Sequence, residues 1–111
     1  MEIEETKEGS VVVVSPVGRI DGSSAAGFQE SLTGIVDRGD ANILLDCSKM
    51  IYISSAGLRS VLIGSRKCQE GGGKLVLCAL QHSCKEVMDV SGFLSIIENY
   101  DARDEAVKAF T

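Results

Sequence analysis

The feature that most constrains this chain is a change of hydrophobic period that recurs along its 111 residues. Short runs of β-branched and aliphatic residues alternate with stretches whose apolar positions return every three or four residues. Val11–Val14 is such a run; with Ser15, Pro16 and Val17 it reads as a strand ending in a turn at Gly18. The more polar Glu2–Thr6 is placed to pair with it as a short edge strand. Ala25, Phe28, Leu32, Ile35 and Val36 then predict a helix with one apolar face, capped by Ser23 or Ser24 and ended by Gly39. Asn42–Cys47 holds Ile43, Leu44 and Leu45 together, as a strand covered on both faces would. Tyr52 and Ile53 lead into a second helix, about Ala56–Glu70, with Leu58, Val61, Leu62 and Ser65 facing inward and Gly71–Gly73 stopping it. Lys74–Ala79 is another buried-type strand. Cys84, Val87 and Met88 predict a third helix closed by Ser91-Gly92, Leu94–Ile97 a last strand, and Asp101 the cap of a C-terminal helix through Ala106, Val107 and Phe110.

This alternation predicts an α/β fold. A single-layer sheet, mostly parallel with an antiparallel edge where the first two strands join directly, is packed with about four helices. The length fits one domain, expected over 1–111, and at 44% hydrophobic the chain can build a core without staples.

Charge and composition narrow the function. The net charge of −5 argues against a sequence-independent grip on nucleic acid or on an anionic membrane, both of which need a basic face. No apolar run approaches the ~18 residues of a membrane span, and the acidic N-terminus does not resemble a secretory signal, so a cytoplasmic location is expected. Cys47, Cys68, Cys78 and Cys84 form no C-x-x-C pair and read as buried thiols, with no metal and no cofactor expected. The lone histidine, His82, has Gln81 and Ser83 rather than an acid beside it and reads as a helix-start or surface residue. Gly71–Gly73 precedes Lys74 and a strand, the reverse of a phosphate loop. No catalytic constellation is visible, and the chain is expected not to be an enzyme.

One segment stands out. Asp46–Arg59 runs from a buried strand through a loop into a helix, with Ser54 and Ser55 at the helix start. A serine there serves as a cap, accepting an N–H of the first turn. The same place suits phosphorylation, because unpaired N–H groups and about +0.5 of a charge meet roughly −1.5 to −2 charges of phosphate.

The segment YISSAGLRSVL resembles the phosphorylation loop of STAS domains, in particular of bacterial anti-sigma factor antagonists. Gly18-Arg19-Ile20-Asp21 resembles the family's turn after the second strand, GGGKLVLCAL the strand after the second helix, and MDVSGFLSII the segment after the third helix. The pieces fall in the family's order over nearly the whole chain. The resemblance implies that Ser55, two residues before Gly57-Leu58, is the phosphoacceptor and that Asp21 lies near it. Many members carry Asp before the target and Ser or Thr after it; this chain has Ser54 and Ala56, which leaves two adjacent hydroxyls.

The resemblance further implies partner switching in transcription regulation. The unphosphorylated form binds an anti-sigma factor with serine kinase activity and releases the sigma factor; phosphorylation on Ser55 turns it off; a Ser/Thr phosphatase resets it. A free-standing STAS subunit of a phospholipid-transport ATPase is the alternative, and a small-molecule binder using the Asp21–Ser55 region a further one. The expected docking surface comprises Asp21, Ser54, Ser55, Ala56, Gly57 and the helix flank Arg59, Ile63 and Arg66, arginine being enriched at interface hot spots. A solvated face with one stray apolar residue is the plain alternative for that flank.

Overall fold

The computed structural model describes residues 1–111. In chain order the elements are β1 (Glu2–Glu8), β2 (Val11–Ile20), α1 (Ala25–Asp37), β3 (Asn42–Asp46), β4 (Met50–Ile53), α2 (Ser55–Glu70), β5 (Lys74–Cys78), α3 (His82–Val90), a 3-10 turn (Phe93–Ser95), β6 (Asn99–Tyr100) and α4 (Arg103–Lys108). One mixed sheet runs β1-β2-β3-β5-β6, and β4 pairs with the far end of β2. The β1–β2 edge is antiparallel and every other pairing is parallel. The expected α/β class, antiparallel edge and four helices are all present.

The strands are apolar on both faces because both are covered. Val12, Val14, Ile43, Leu45, Leu75 and Leu77 join the main core with Phe28 and Leu32 of α1 and Val61 of α2. The alternate positions Val11, Val13, Leu44, Val76 and Cys78 meet Ala106 of α4 in a smaller core on the other side. Period-2 alternation thus serves two cores, which is why these runs read as continuous hydrophobes.

β2 does not end at Gly18. The strand bends there: Gly18 takes φ +92°, and the register slips between Gly18 and Arg19. Before the bend Val12–Val14 pair with β3; after it Gly18–Ile20 pair with β4. A left-handed glycine and a bulge re-aim the strand so that it changes partner. β4 itself has no counterpart in the sequence reading. It is four residues long, too short to be told by period from the lead-in to α2, and its two central residues, Ile51 and Tyr52, are exposed between buried Met50 and Ile53.

The last strand also differs. Leu94–Ile97 is not extended; Gly92 at φ +78° turns the chain into the 3-10 turn, and the strand is Asn99–Tyr100. Phe93 and Ile97, four residues apart, are the buried pair, while Ile96 is exposed. The buried side of α2 is made by Gly57, Ser60, Val61, Gly64, Ser65 and Cys68. Val61 and Ser65 face inward as expected, but Leu58 and Leu62 pack only at the core margin. Small residues let α2 sit close: Ser60 Oγ donates to the Ala25 carbonyl of α1 at 2.9 Å, and Gly64 lies against Leu32. Neither α1 nor α4 has a side-chain cap. Ser24 is spent on the turn before α1, and Asp101 accepts from Lys85 instead of capping α4.

Candidate functional site: the start of the second helix

The loop from β4 into α2 is anchored to the bent end of β2. The Ser54 N–H donates to the Ile20 carbonyl at 2.8 Å. Gly57 then packs on Ile20 and Ile53, both buried. The helix start is thereby held on the sheet by Gly57, with Ser55 and Ala56 facing outward.

The two serines have different jobs. Ser54 is the N-cap: its backbone is extended and its hydroxyl accepts the Gly57 N–H at 3.2 Å. Ser55 is the first helical residue, is exposed, and its hydroxyl makes no hydrogen bond with the protein. Capping and a free hydroxyl therefore fall on different residues. Ala56 is exposed beside Ser55.

Asp21 begins the turn that follows β2, one residue after the carbonyl that holds Ser54. Its carboxylate accepts from the Ser23 hydroxyl at 2.6 Å and the Ser23 N–H at 3.0 Å. Those bonds, the hydroxyl's above all, hold the carboxyl below its ordinary value. The Ser24 hydroxyl bridges the turn, accepting from the Asp21 N–H and donating to the Arg19 carbonyl. The structure thus brings Asp21, Ser54, Ser55, Ala56 and Gly57 to one end of the sheet, with Asp21 engaged by its own turn and not bonded to either loop serine.

On α2, Arg59 and Arg66 are exposed and Ile63 is half-buried. At about 100° per residue, Arg59 lies about 40° and Arg66 about 20° around the helix from Ser55, so all share one stripe. Arg19 is a contributor the sequence reading did not single out. It stacks over the Tyr52 ring at 4.1 Å, beside the loop. The arginine was visible in the Gly18–Asp21 segment, but the stack depends on β4 pairing with β2 and could not be seen without it.

The chain has eleven lysines and arginines. Lys7, Arg38, Lys49, Lys67, Lys74, Lys85 and Arg103 each lie within 4.0 Å of a carboxylate. Arg19, Arg59, Arg66 and Lys108 do not. The unpaired arginines thus flank the Ser55 loop and its helix, on a chain of net charge −5.

His82 begins α3, exposed, with Glu86 3.5 Å away. All four cysteines are buried free thiols. No three His, Cys, Asp or Glu side chains converge as metal ligands. Of the five main surface hollows, none is lined by Asp21 or Ser55; one reaches Ser23 and Ser24 of the Asp21 turn and another Ile51–Ile53.

The bent sheet thus seats a helix whose first serine is exposed, with the cap supplied by the residue before it. The STAS domain family model matches residues 2–106, and the chain belongs to the STAS domain family. It is 34% identical over 110 residues to BtrV of Bordetella bronchiseptica, a protein named as an anti-sigma factor antagonist, covering 99% of this chain and 95% of the relative. Among solved structures, one named as an anti-sigma factor antagonist from Thermotoga maritima superimposes with a TM-score of 0.92 at 19% identity, covering 97% of this chain and 93% of that one. The Bacillus cell fate determinant SpoIIAA in its phosphorylated form gives 0.74 at 16% identity, covering 99% of this chain and 100% of that one. At these identities the structural likeness speaks to fold.

Proposed function

We propose that the chain is an anti-sigma factor antagonist that switches partners through Ser55. In this reading, the unphosphorylated form binds an anti-sigma factor that is also a serine kinase, and the sigma factor is released. The kinase moves the γ-phosphoryl of ATP to Ser55 Oγ; ADP leaves, and the hydroxyl proton passes to a base of the kinase. The phosphorylated chain lets go, and a Ser/Thr phosphatase hydrolyses the ester. Catalysis belongs to the partners, and residues 1–111 act as one regulatory domain.

The observation that carries the reading is the division of labour at the helix start. Ser54 caps α2, so the exposed Ser55 hydroxyl has no structural duty and is open to a kinase. The relation to BtrV supports the choice of function within the family. A phosphate at Ser55 meets the positive end of α2, so the fold tolerates it, and loss of binding comes from clash and repulsion at the surface. That docking surface comprises Asp21, Ser54, Ser55, Ala56, Arg59, Ile63 and Arg66; Gly57, expected there from the sequence, is buried against Ile20 and Ile53 and seats the helix start beneath it. We place the cycle in the cytoplasm: no helix is long and apolar enough to cross a membrane, and free thiols suit a reducing compartment.

The test is a titration of the chain, before and after phosphorylation, against its cognate anti-sigma factor. Tight binding and sigma release by the unphosphorylated form, both lost on phosphorylation, are expected. Equal binding by both forms would defeat the partner-switching cycle.

A further inference from the structure

Arg59 sits four residues after Ser55, one turn along the exposed side of α2. Side chains at this spacing have Cβ atoms about 5–6 Å apart, and an anion on the N-terminal member of the pair is the favourable orientation. Arg59 has no carboxylate within 4.0 Å, whereas Arg38 and Arg103 are each tied to one or more. It is therefore a cation without an internal partner, one turn from a hydroxyl without one.

We propose that Arg59 is the internal counter-ion of phosphorylated Ser55: the phosphate is clasped by the Arg59 guanidinium, and the arginine is withdrawn from the docking surface in the same event. The inference rests on the Ser55 reading and deepens it. The guanidinium fork matches two phosphate oxygens at once, a geometry an ammonium does not offer. A single modification then does two things at the surface. It places negative charge where the partner approaches, and it redirects a positive side chain that the partner would otherwise meet.

The neighbouring charges do not compete for this role. Arg19 is stacked on Tyr52. Asp21 is held by Ser23 and, being an anion, would raise a phosphate's second pKa rather than lower it. Arg66 shares the stripe but lies about 16 Å farther along the helix than Ser55, beyond direct reach.

The test installs phosphoserine at position 55 by semisynthesis and follows its phosphorus resonance against pH, in the otherwise unaltered chain and with Arg59→Gln or Arg66→Gln. Both arginines are exposed, so each variant keeps the core. A free phosphoserine loses its second proton near ~6. With Arg59 present the value should lie roughly 0.3 unit below that of Arg59→Gln, the size expected of an i,i+4 pair. Arg66→Gln should match the parent chain. Equal values with and without Arg59, or an equal shift on removing Arg66, would overturn the clasp. No kinase enters this measurement, so its failure is separate from failure of the phosphorylation cycle, which is read by whether the kinase modifies Ser55.

Discussion

Gly57 on α2 leaves no room for a side chain against Ile20 on β2: a Cβ there would stand 2.8 Å from Ile20 Cγ2 and 3.2 Å from the Ile20 carbonyl oxygen. Ile53 Cγ1 would be closer still, at 2.7 Å. The same Ile20 carbonyl accepts the Ser54 N–H. One residue of β2 therefore positions both the cap and the first turn of the helix that carries Ser55.

Gly57→Ala should accordingly destabilise the fold by about 1–3 kcal/mol through overpacking, despite alanine's better helix propensity. Urea unfolding reads this directly. An unchanged midpoint would mean that the helix start is not held tightly on the sheet.

The two serines should separate by stability. Ser54→Ala removes the cap and should cost about 1 kcal/mol, a few degrees of thermal midpoint. Ser55→Ala removes an exposed hydroxyl without partners and should stay within about 0.5 kcal/mol of the parent. Thermal melts of the two variants side by side check the assignment, which fails if their order is reversed.

Asp21 should titrate below its ordinary 3.8, because the Ser23 hydroxyl and N–H stabilise its charged form. The sign follows: the turn gains from these bonds above the unfolded value and loses them as pH falls through the lower folded one. A carboxyl titration by NMR should show the depressed value, and Ser23→Ala should bring it back up. A value at or above 3.8 in the parent chain contradicts the geometry of this turn.

The cysteines should be silent in the folded protein. Burial pushes Cys68 up to about 11 from 9.0, and burial with the Asp46 charge pushes Cys78 up to about 12. Native chain at pH 8 should resist alkylation at both sites and react fully in urea. Because their folded values are raised, their contribution to stability is whole below about 9 and is lost as pH climbs toward those values. Rapid native labelling of either would show that the core opens more readily than its packing implies.

The sequence carried the layering of this fold because period and burial coincide in β2, β3, β5 and α1. It failed where they part. β4 is an apolar run of only four residues that merges with the lead-in to α2, and its Ile51 and Tyr52 are exposed despite their hydropathy, although it creates the Arg19–Tyr52 stack. Leu94–Ile97 looked like a strand by hydropathy, yet Gly92 turns it and Asn99 ties it back, donating to the Leu94 and Ile97 carbonyls. On α2 hydropathy points to the leucines, while close packing selects Gly57, Ser60 and Gly64, residues a hydrophobic count passes over. At the site, two adjacent hydroxyls were legible but their roles were not. The extended backbone of Ser54 and its hydroxyl's bond from the Gly57 N–H separate the cap from the free serine.

The central claim is that Ser55, and not Ser54, takes the phosphate. The most direct measurement incubates the parent chain, Ser54→Ala and Ser55→Ala with the cognate kinase and ATP and locates the phosphate by fragmentation mass spectrometry. The account predicts one phosphate on Ser55 in the parent chain and in Ser54→Ala, and none in Ser55→Ala. Phosphate on Ser54, or full incorporation into Ser55→Ala, would contradict it.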